Sequence, residues 1–61
     1  MDMQKRYRIG DEIRYKGWPE GLVTTIYAFG VDTFFGKMPD GEIKEFWQAN
    51  DYVIVRRAKN V

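Results

Sequence analysis

The 61-residue sequence contains no cysteine, no histidine and no serine. Without cysteine there is no disulfide framework, and without cysteine or histidine the usual ligands of structural zinc are missing. Because serine, cysteine and histidine are all absent, the sequence also excludes a Ser-His-Asp triad, a Cys-His pair and an imidazole general base. A catalyst built on this chain would have to use carboxylates, Lys, Tyr, Thr or a bound cofactor. We therefore expect a non-catalytic protein with no metal and no cofactor.

Long apolar runs are also missing. No segment approaches the about 18 consecutive apolar residues of a transmembrane helix, so the sequence predicts no membrane span. The first residues, MDMQKRYR, lack the apolar segment of a secretory signal. These features favour a cytoplasmic protein. So short a chain is compatible with an accessory protein of a phage or mobile element.

The length predicts a single domain, 1–61, with an ordered core from about residue 8 to residue 57 and basic tails at both ends. A chain of this size buries only about 60% of the surface that its unfolded form exposes. The aromatic content of 16% favours compensation by dense packing or by self-association, because each large ring buries much area.

The net charge of +1 is unevenly distributed along the chain. Eight of the nine acidic residues lie between positions 11 and 51. Six of the ten basic residues lie near the two ends: Lys5, Arg6, Arg8, Arg56, Arg57 and Lys59. Such ends serve solubility or form a binding face. Basic residues interleaved with an aromatic, as in KRYR, suit single-stranded nucleic acid, but a near-neutral chain argues against high affinity.

Short runs rich in Val, Ile, Thr, Tyr and Phe alternate with turns that contain glycine, proline or aspartate. Branched and aromatic side chains suit a pleated strand, and evenly spaced short strands are typical of an all-β barrel or sandwich. The predicted strands cover residues 12–16, 22–29, 33–38, 42–47 and 52–57. The segment QAND is too short for a helix and predicts one 3-10 turn before the last strand.

The second strand does not alternate cleanly, because Val23 and Ile26 are both expected core residues three positions apart. A bulge near Thr24-Thr25 would turn both of them inward. The acidic pairs Asp11-Glu12 and Asp40/Glu42 are of the kind that hold Mg²⁺ or transfer protons. We expect a structural role for them instead, because Asp in a turn bonds nearby backbone N–H groups.

The order of these pieces resembles the SH3-like small barrel, a group that includes Tudor-type and KOW-type modules. The segments that carry the resemblance are IGDEIRY, GLVTTI, MPDGE and NDYVIV. It implies a five-stranded barrel with Tyr52 on the surface, Val53 and Val55 in the core, and Ile54 outward. Two departures matter: the loop after the first strand is only residues 17–21, which argues against proline-rich ligands, and the KOW glycine pattern is partial. Barrels of this kind bind peptides, RNA or DNA, or associate.

The leading functional prediction is an interaction module that binds a protein partner or self-associates, through Trp18, Phe35, Trp47 and Tyr52. Trp18 either anchors a partner or folds back as a cap over the barrel, and adjacent aromatics such as Phe34 and Phe35 should face opposite ways. Expected core residues are Ile13, Tyr15, Val23, Ile26, Val53 and Val55.

Two alternatives remain open. The first is a nucleic-acid-binding module that uses the six terminal basic residues. The second, remote, is an enzyme, because the layout also resembles the plasmid-borne type II dihydrofolate reductases, barrels assembled as tetramers around one pore. That family's pore motif, Val-Gln-Ile-Tyr, is replaced here by Ile43, Lys44, Glu45 and Phe46.

Overall fold

The computed structural model describes residues 3–59 as one antiparallel sheet of five strands in the order β4-β3-β2-β1-β5. The strands are β1 (Glu12–Tyr15), β2 (Thr24–Phe29), β3 (Thr33–Lys37), β4 (Ile43–Trp47) and β5 (Tyr52–Arg56). The all-β prediction with five strands is confirmed. The last strand returns to pair with the first, and among the described residues no ladder joins β4 to β5, so these two strands are the edges.

The 3-10 helix lies at Met3–Lys5, whereas the segment before β5, where the sequence predicted a 3-10 turn, is an ordinary turn. The side chain of Gln48 holds this turn. Its amide nitrogen donates to the carbonyl oxygens of Gly30 and Thr33, at 3.0 and 2.8 Å. Its oxygen accepts the N–H of Met3 at 3.3 Å. The buried side-chain amide of Gln48 thus links the N-terminal helix to the turn between β2 and β3.

The helix at residues 3–5 is far shorter than a bilayer is thick, and no helix within residues 3–59 meets the length and apolarity of a membrane span.

The core is a cluster of five buried side chains: Met3, Ile13, Ile26, Phe34 and Tyr52. The predicted burial of Ile13 and Ile26 is confirmed. Tyr15 is half-buried and packs against the cluster, whereas Val23 is half-buried and lies outside it. Met3, which the sequence placed in a basic tail, is 1% exposed. It packs in the core, and its N–H bonds Gln48 in the turn that follows β4.

The register of β5 is one residue away from the prediction. Tyr52, expected on the surface, is only 9% exposed, and Ile54, expected outward, packs against the core. Val55, expected in the core, is 50% exposed, and Val53 is half-buried. The Tyr52 ring lies edge-on to Phe34, with centroids 5.2 Å apart, and its hydroxyl donates to the carbonyl of Trp47 at 2.8 Å. A large ring with a satisfied hydroxyl takes the inward position.

The bulge in β2 lies at Tyr27, not at Thr24-Thr25. The pairing with β3 shifts between Ile26, opposite Gly36, and Ala28, opposite Phe35, which leaves Tyr27 as the extra residue. Thr24 and Ile26 both point inward with normal alternation. Thr24 fits there because Gly36 has no side chain: a Cβ on Gly36 would clash with the Thr24 hydroxyl. The pair Thr24–Gly36 therefore fixes how closely β2 and β3 approach on the core side.

Candidate interaction surfaces

The four predicted partner-binding aromatics do not share one surface. Trp18 and Tyr52 pack inward, whereas Phe35 and Trp47 lie on the outer side of the sheet. Trp18 is half-buried, with its ring edge-on to Tyr15 at 6.1 Å and to Phe46 at 5.4 Å between centroids. The prediction that Tyr52 lies on the surface is therefore wrong, and Trp18 is turned toward Tyr15 and Phe46. Trp18 covers the sheet, which is the capping role that the sequence left open.

Loop 17–21 is folded back by hydrogen bonds as well as by ring contacts. The Trp18 N–H donates to the carbonyl of Tyr15 at 3.0 Å, and the Trp18 carbonyl accepts from the Arg14 guanidinium at 2.9 Å. Because both backbone groups of Trp18 are bonded, the loop holds the indole against Phe46. The short connection is thus a lid on the core.

The outer aromatic face is the side of β2, β3 and β4 that carries Tyr27, Phe35, Ile43 and Trp47. On β3, Phe34 is buried, so its neighbour Phe35 points the opposite way, and Phe46 and Trp47 divide in the same manner. The predicted in-and-out division of both aromatic pairs is confirmed. Trp47 lies opposite Thr33 and Ile43 lies opposite Lys37, so both are on the face of Phe35.

This face exposes large apolar side chains. Trp47 is 63% exposed, Tyr27 is 59% exposed and Ile43 is 41% exposed. A cleft of about 190 Å³ beside the indole is lined by Thr33, Glu45, Phe46 and Trp47. The Thr33 hydroxyl donates to the Glu45 carboxylate at 2.7 Å across the strand pair, which fixes the polar wall of the cleft. A side chain of a binding partner can fill such a recess while the partner covers the exposed indole ring.

The basic end is the second surface, where the N-terminal and C-terminal segments meet: Lys5, Arg6, Arg8, Arg56, Arg57 and Lys59. Asp11, 1% exposed, joins the two segments. Its carboxylate accepts the N–H of Ala58 at 2.7 Å, the N–H of Arg8 at 3.0 Å and the Arg57 guanidinium at 3.1 Å. The two basic clusters, which lie near opposite ends of the sequence, are therefore adjacent in the fold.

The electrostatics of Asp11 follow from these contacts. Burial alone raises the pKa of a carboxyl group, but the N–H donors of Ala58 and Arg8 and the charge of Arg57 outweigh it, so the pKa of Asp11 lies below its ordinary value. Arg57 also donates to the carbonyl of Arg6 at 3.0 Å. One buried carboxylate therefore holds a charge-assisted network that fixes both segments.

Two concavities adjoin at Arg57 and Ala58. The larger, of about 500 Å³, is lined by Gln4, Lys5, Arg6, Tyr7, Arg8, Asp11, Arg57 and Ala58. The smaller, of about 300 Å³, is lined by Gly10, Glu12, Arg56, Arg57, Ala58 and Lys59. Arg56 pairs with Glu12 at the rim of the smaller one. All six predicted basic residues thus line one continuous surface.

The aspartates of the two acidic pairs, Asp11 and Asp40, accept backbone N–H groups. Asp40 accepts the N–H of Glu42 at 2.9 Å, the turn bond that the sequence predicted. Within residues 3–59 there is no group of three or more His, Cys, Asp or Glu side chains that could hold a metal ion. The non-catalytic assignment and the remote reductase alternative stay predictions.

Three important residues were missed or undervalued by sequence reasoning: Met3, Asp11 and Gln48. Asp11 follows a glycine with positive φ and reads locally as a turn residue, yet it bonds a backbone N–H 47 positions away. Gln48 and Met3 likewise act through each other across 45 positions. Local patterns carry no signal for such contacts.

A scan against models of protein families matched none, and searches of curated proteins and of solved structures found no match either. The SH3-like, Tudor-type and KOW-type assignments therefore stay predictions from sequence.

Proposed function

We propose that this chain is a non-catalytic interaction module of the SH3-like type that binds a protein partner, or a second copy of itself, through the outer aromatic face. The observation that carries the proposal is Trp47, a 63% exposed indole on an edge strand beside a shaped cleft. Trp is enriched among the residues that dominate binding energy, and such residues sit beside pockets. Phe35 and Trp47 keep the role that the sequence gave them, whereas Trp18 and Tyr52 leave the proposed interface.

The composition of the face supports a protein ligand. Tyr27, Ile43 and Trp47 together expose apolar area on one side of a small sheet, and contiguous apolar surface of this kind marks interaction sites. Lys37 and Glu45 bracket the rings with opposite charges, as in the polar rim of an interface. Rings have few rotatable bonds, so little entropy is lost when a partner covers them.

The strand order supports the SH3-like assignment. In this meander the fifth strand returns to pair with the first, which brings the segment before β1 beside the segment after β5. A sheet of this order with a bulge at Tyr27 is compatible with a small barrel. The outer aromatic face lies on β2, β3 and β4, whereas the basic end lies beside β1 and β5.

The test compares Trp47→Ser with Val55→Ser, which removes a smaller exposed apolar side chain on the opposite edge strand. Both variants should remain folded, because exposed positions usually change stability by about 0.5 kcal/mol or less. We expect Trp47→Ser to lose association, measured by sedimentation over a range of concentrations and by capture from a lysate of the source cell. Val55→Ser should behave as the unsubstituted protein. Equal association by all three proteins would overturn the proposal.

A further inference from the structure

We infer that the basic end binds the phosphate backbone of single-stranded nucleic acid, along the two concavities that adjoin at Arg57. This site lies apart from the outer aromatic face, and its ligand belongs to a different class from the proposed protein partner. Three features support this inference: the hydrogen bonds of Asp11, the distribution of cationic side chains over two recesses, and the separation of charge within the molecule.

Asp11 holds part of the basic end in a fixed position before any ligand binds. The buried Asp11 carboxylate fixes the backbone at Arg8 and Ala58 and one nitrogen of Arg57. Both hydrogen bonds of Arg57 to residues within 3–59 use the same nitrogen, Nη1, and its side chain is mostly exposed. A guanidinium carries five N–H donors in a planar fork that matches phosphate oxygens. Arg57 is therefore held in place with donors directed away from Asp11.

The second step is the shape of the cationic surface. Lys5, Arg6 and Arg8 line the larger concavity, and Arg56 and Lys59 line the smaller one. Arg57 lies between the two sets. A single phosphate needs one such cluster, whereas cations spread over two adjoining recesses suit successive phosphates of a strand. Recessed cations also favour a flexible single strand over the stiff, convex backbone of a duplex.

The third step is electrostatic. The basic end holds six cationic side chains against the carboxylates of Asp11 and Glu12, a net charge of +4. Residues 3–59 carry ten basic and eight acidic side chains, a net charge of +2, so the described residues outside the basic end carry −2. The low net charge therefore conceals a polarised molecule, and a polyanion is drawn to one end and repelled by the rest.

An anionic membrane fits this surface less well. A basic surface that binds lipid strongly also inserts apolar side chains. The lining of the larger concavity is polar or charged apart from Tyr7 and Ala58. Ile9 is exposed beside it, but one isoleucine supplies little apolar area. The chemistry therefore favours a ligand that offers phosphate and sugar over one that offers acyl chains.

The experiment titrates labelled 20-nucleotide oligo(U) and oligo(dT) with the full chain and follows fluorescence anisotropy at several salt concentrations. The test variant is Lys5→Gln/Lys59→Gln, which removes one exposed cation from each concavity and leaves the Asp11 network intact. The matched control is Lys37→Gln/Lys44→Gln, with the same change of charge on β3 and β4, away from the basic end. We expect salt-dependent binding that the test variant weakens at least about fivefold, with the slope against log salt falling by about 1.4 for two lost contacts.

Three outcomes overturn the inference: no salt-dependent oligonucleotide binding, equal weakening by the control variant, or tighter binding to a duplex of the same length. Binding to phosphatidylserine vesicles without binding to oligonucleotide also overturns it and assigns the site to lipid. Trp47→Ser should bind oligonucleotide as the unsubstituted protein does. That result separates this inference from the protein-binding proposal, since either one can fail alone.

Discussion

Gly36 shows how one missing side chain sets the packing of the sheet. It is buried in the middle of β3, and a Cβ there would clash with the Thr24 hydroxyl and stand 3.0 Å from the Phe46 ring. Thr24 is itself fully buried, and its hydroxyl donates to the carbonyl of Lys37 at 3.3 Å. The position therefore requires glycine for close approach and not for an unusual backbone angle.

We expect Gly36→Ala to destabilise the protein by on the order of 1–3 kcal/mol, the usual cost of overpacking a core. Urea unfolding followed by tryptophan fluorescence measures the change. Thr24→Ala removes the two closest Thr24 atoms, so the double variant Gly36→Ala/Thr24→Ala should lose less stability than the sum of the single variants. Strict additivity would show that the Thr24 contact is not the cause.

At the scale of elements, β5 makes the sharpest stability prediction. Ile54 packs against the core and Val55 is 50% exposed. Ile54→Ala should therefore cost roughly 1–3 kcal/mol, somewhat below the loss at a fully buried isoleucine, and Val55→Ala should cost about 0.5 kcal/mol or less. Chemical denaturation of both variants under one condition provides the comparison. A larger loss at Val55 would return the strand to the register that the sequence predicted.

The five strands were predictable because each is bounded by turn residues and rich in branched or aromatic side chains. The register of β5 was not, because YVIV is apolar at every position and alternation alone does not choose between its two faces. Tertiary contacts decide it: the Tyr52 ring packs on Phe34 and Tyr15, and its hydroxyl reaches the Trp47 carbonyl. The sequence predicted that β2 contains a bulge, but it did not predict that the bulge lies at Tyr27.

The candidate sites were predictable to different degrees. The in-and-out division at Phe34-Phe35 and Phe46-Trp47 follows from strand periodicity, whereas the choice of Trp47 as the exposed member of its pair does not. The position of Trp18 does not follow from strand periodicity, because Trp18 lies in loop 17–21. Contacts to Tyr15, Arg14 and Phe46 hold that loop, and no local pattern encodes them. The basic end was visible as composition, whereas its organising residue, Asp11, became visible only in three dimensions.

At the scale of the whole molecule, Asp11 makes stability depend on pH. Its pKa in the folded protein lies below the ordinary value of 3.8, because the donors from Ala58, Arg8 and Arg57 outweigh the effect of burial. A lowered carboxyl pKa contributes stability that is fully present above about pH 4 and is lost as the pH falls through the folded value. The urea midpoint should therefore drop as the pH falls below about 4.

Asp11→Asn should lower stability at pH 7, since a neutral amide accepts more weakly and places its own donors beside Arg57, and should flatten the dependence below pH 4. Asp40→Asn is the matched control, because the Asp40 carboxylate accepts one exposed N–H in a hairpin turn. It should keep the acid dependence of the unsubstituted protein. Parallel acid curves for Asp11→Asn and the unsubstituted protein would show that other carboxylates govern the transition.

The bond between Asp11 and the N–H of Ala58 has a kinetic consequence, because it spans 47 positions of the sequence. Contacts within β2–β3 and β3–β4 close short loops, whereas β1–β5 pairing must bring together residues from opposite ends of the chain. Closing so long a loop costs more chain entropy and comes late in folding. In refolding experiments we therefore expect the outer aromatic face to form before the basic end is assembled. The two surfaces come into being at different times.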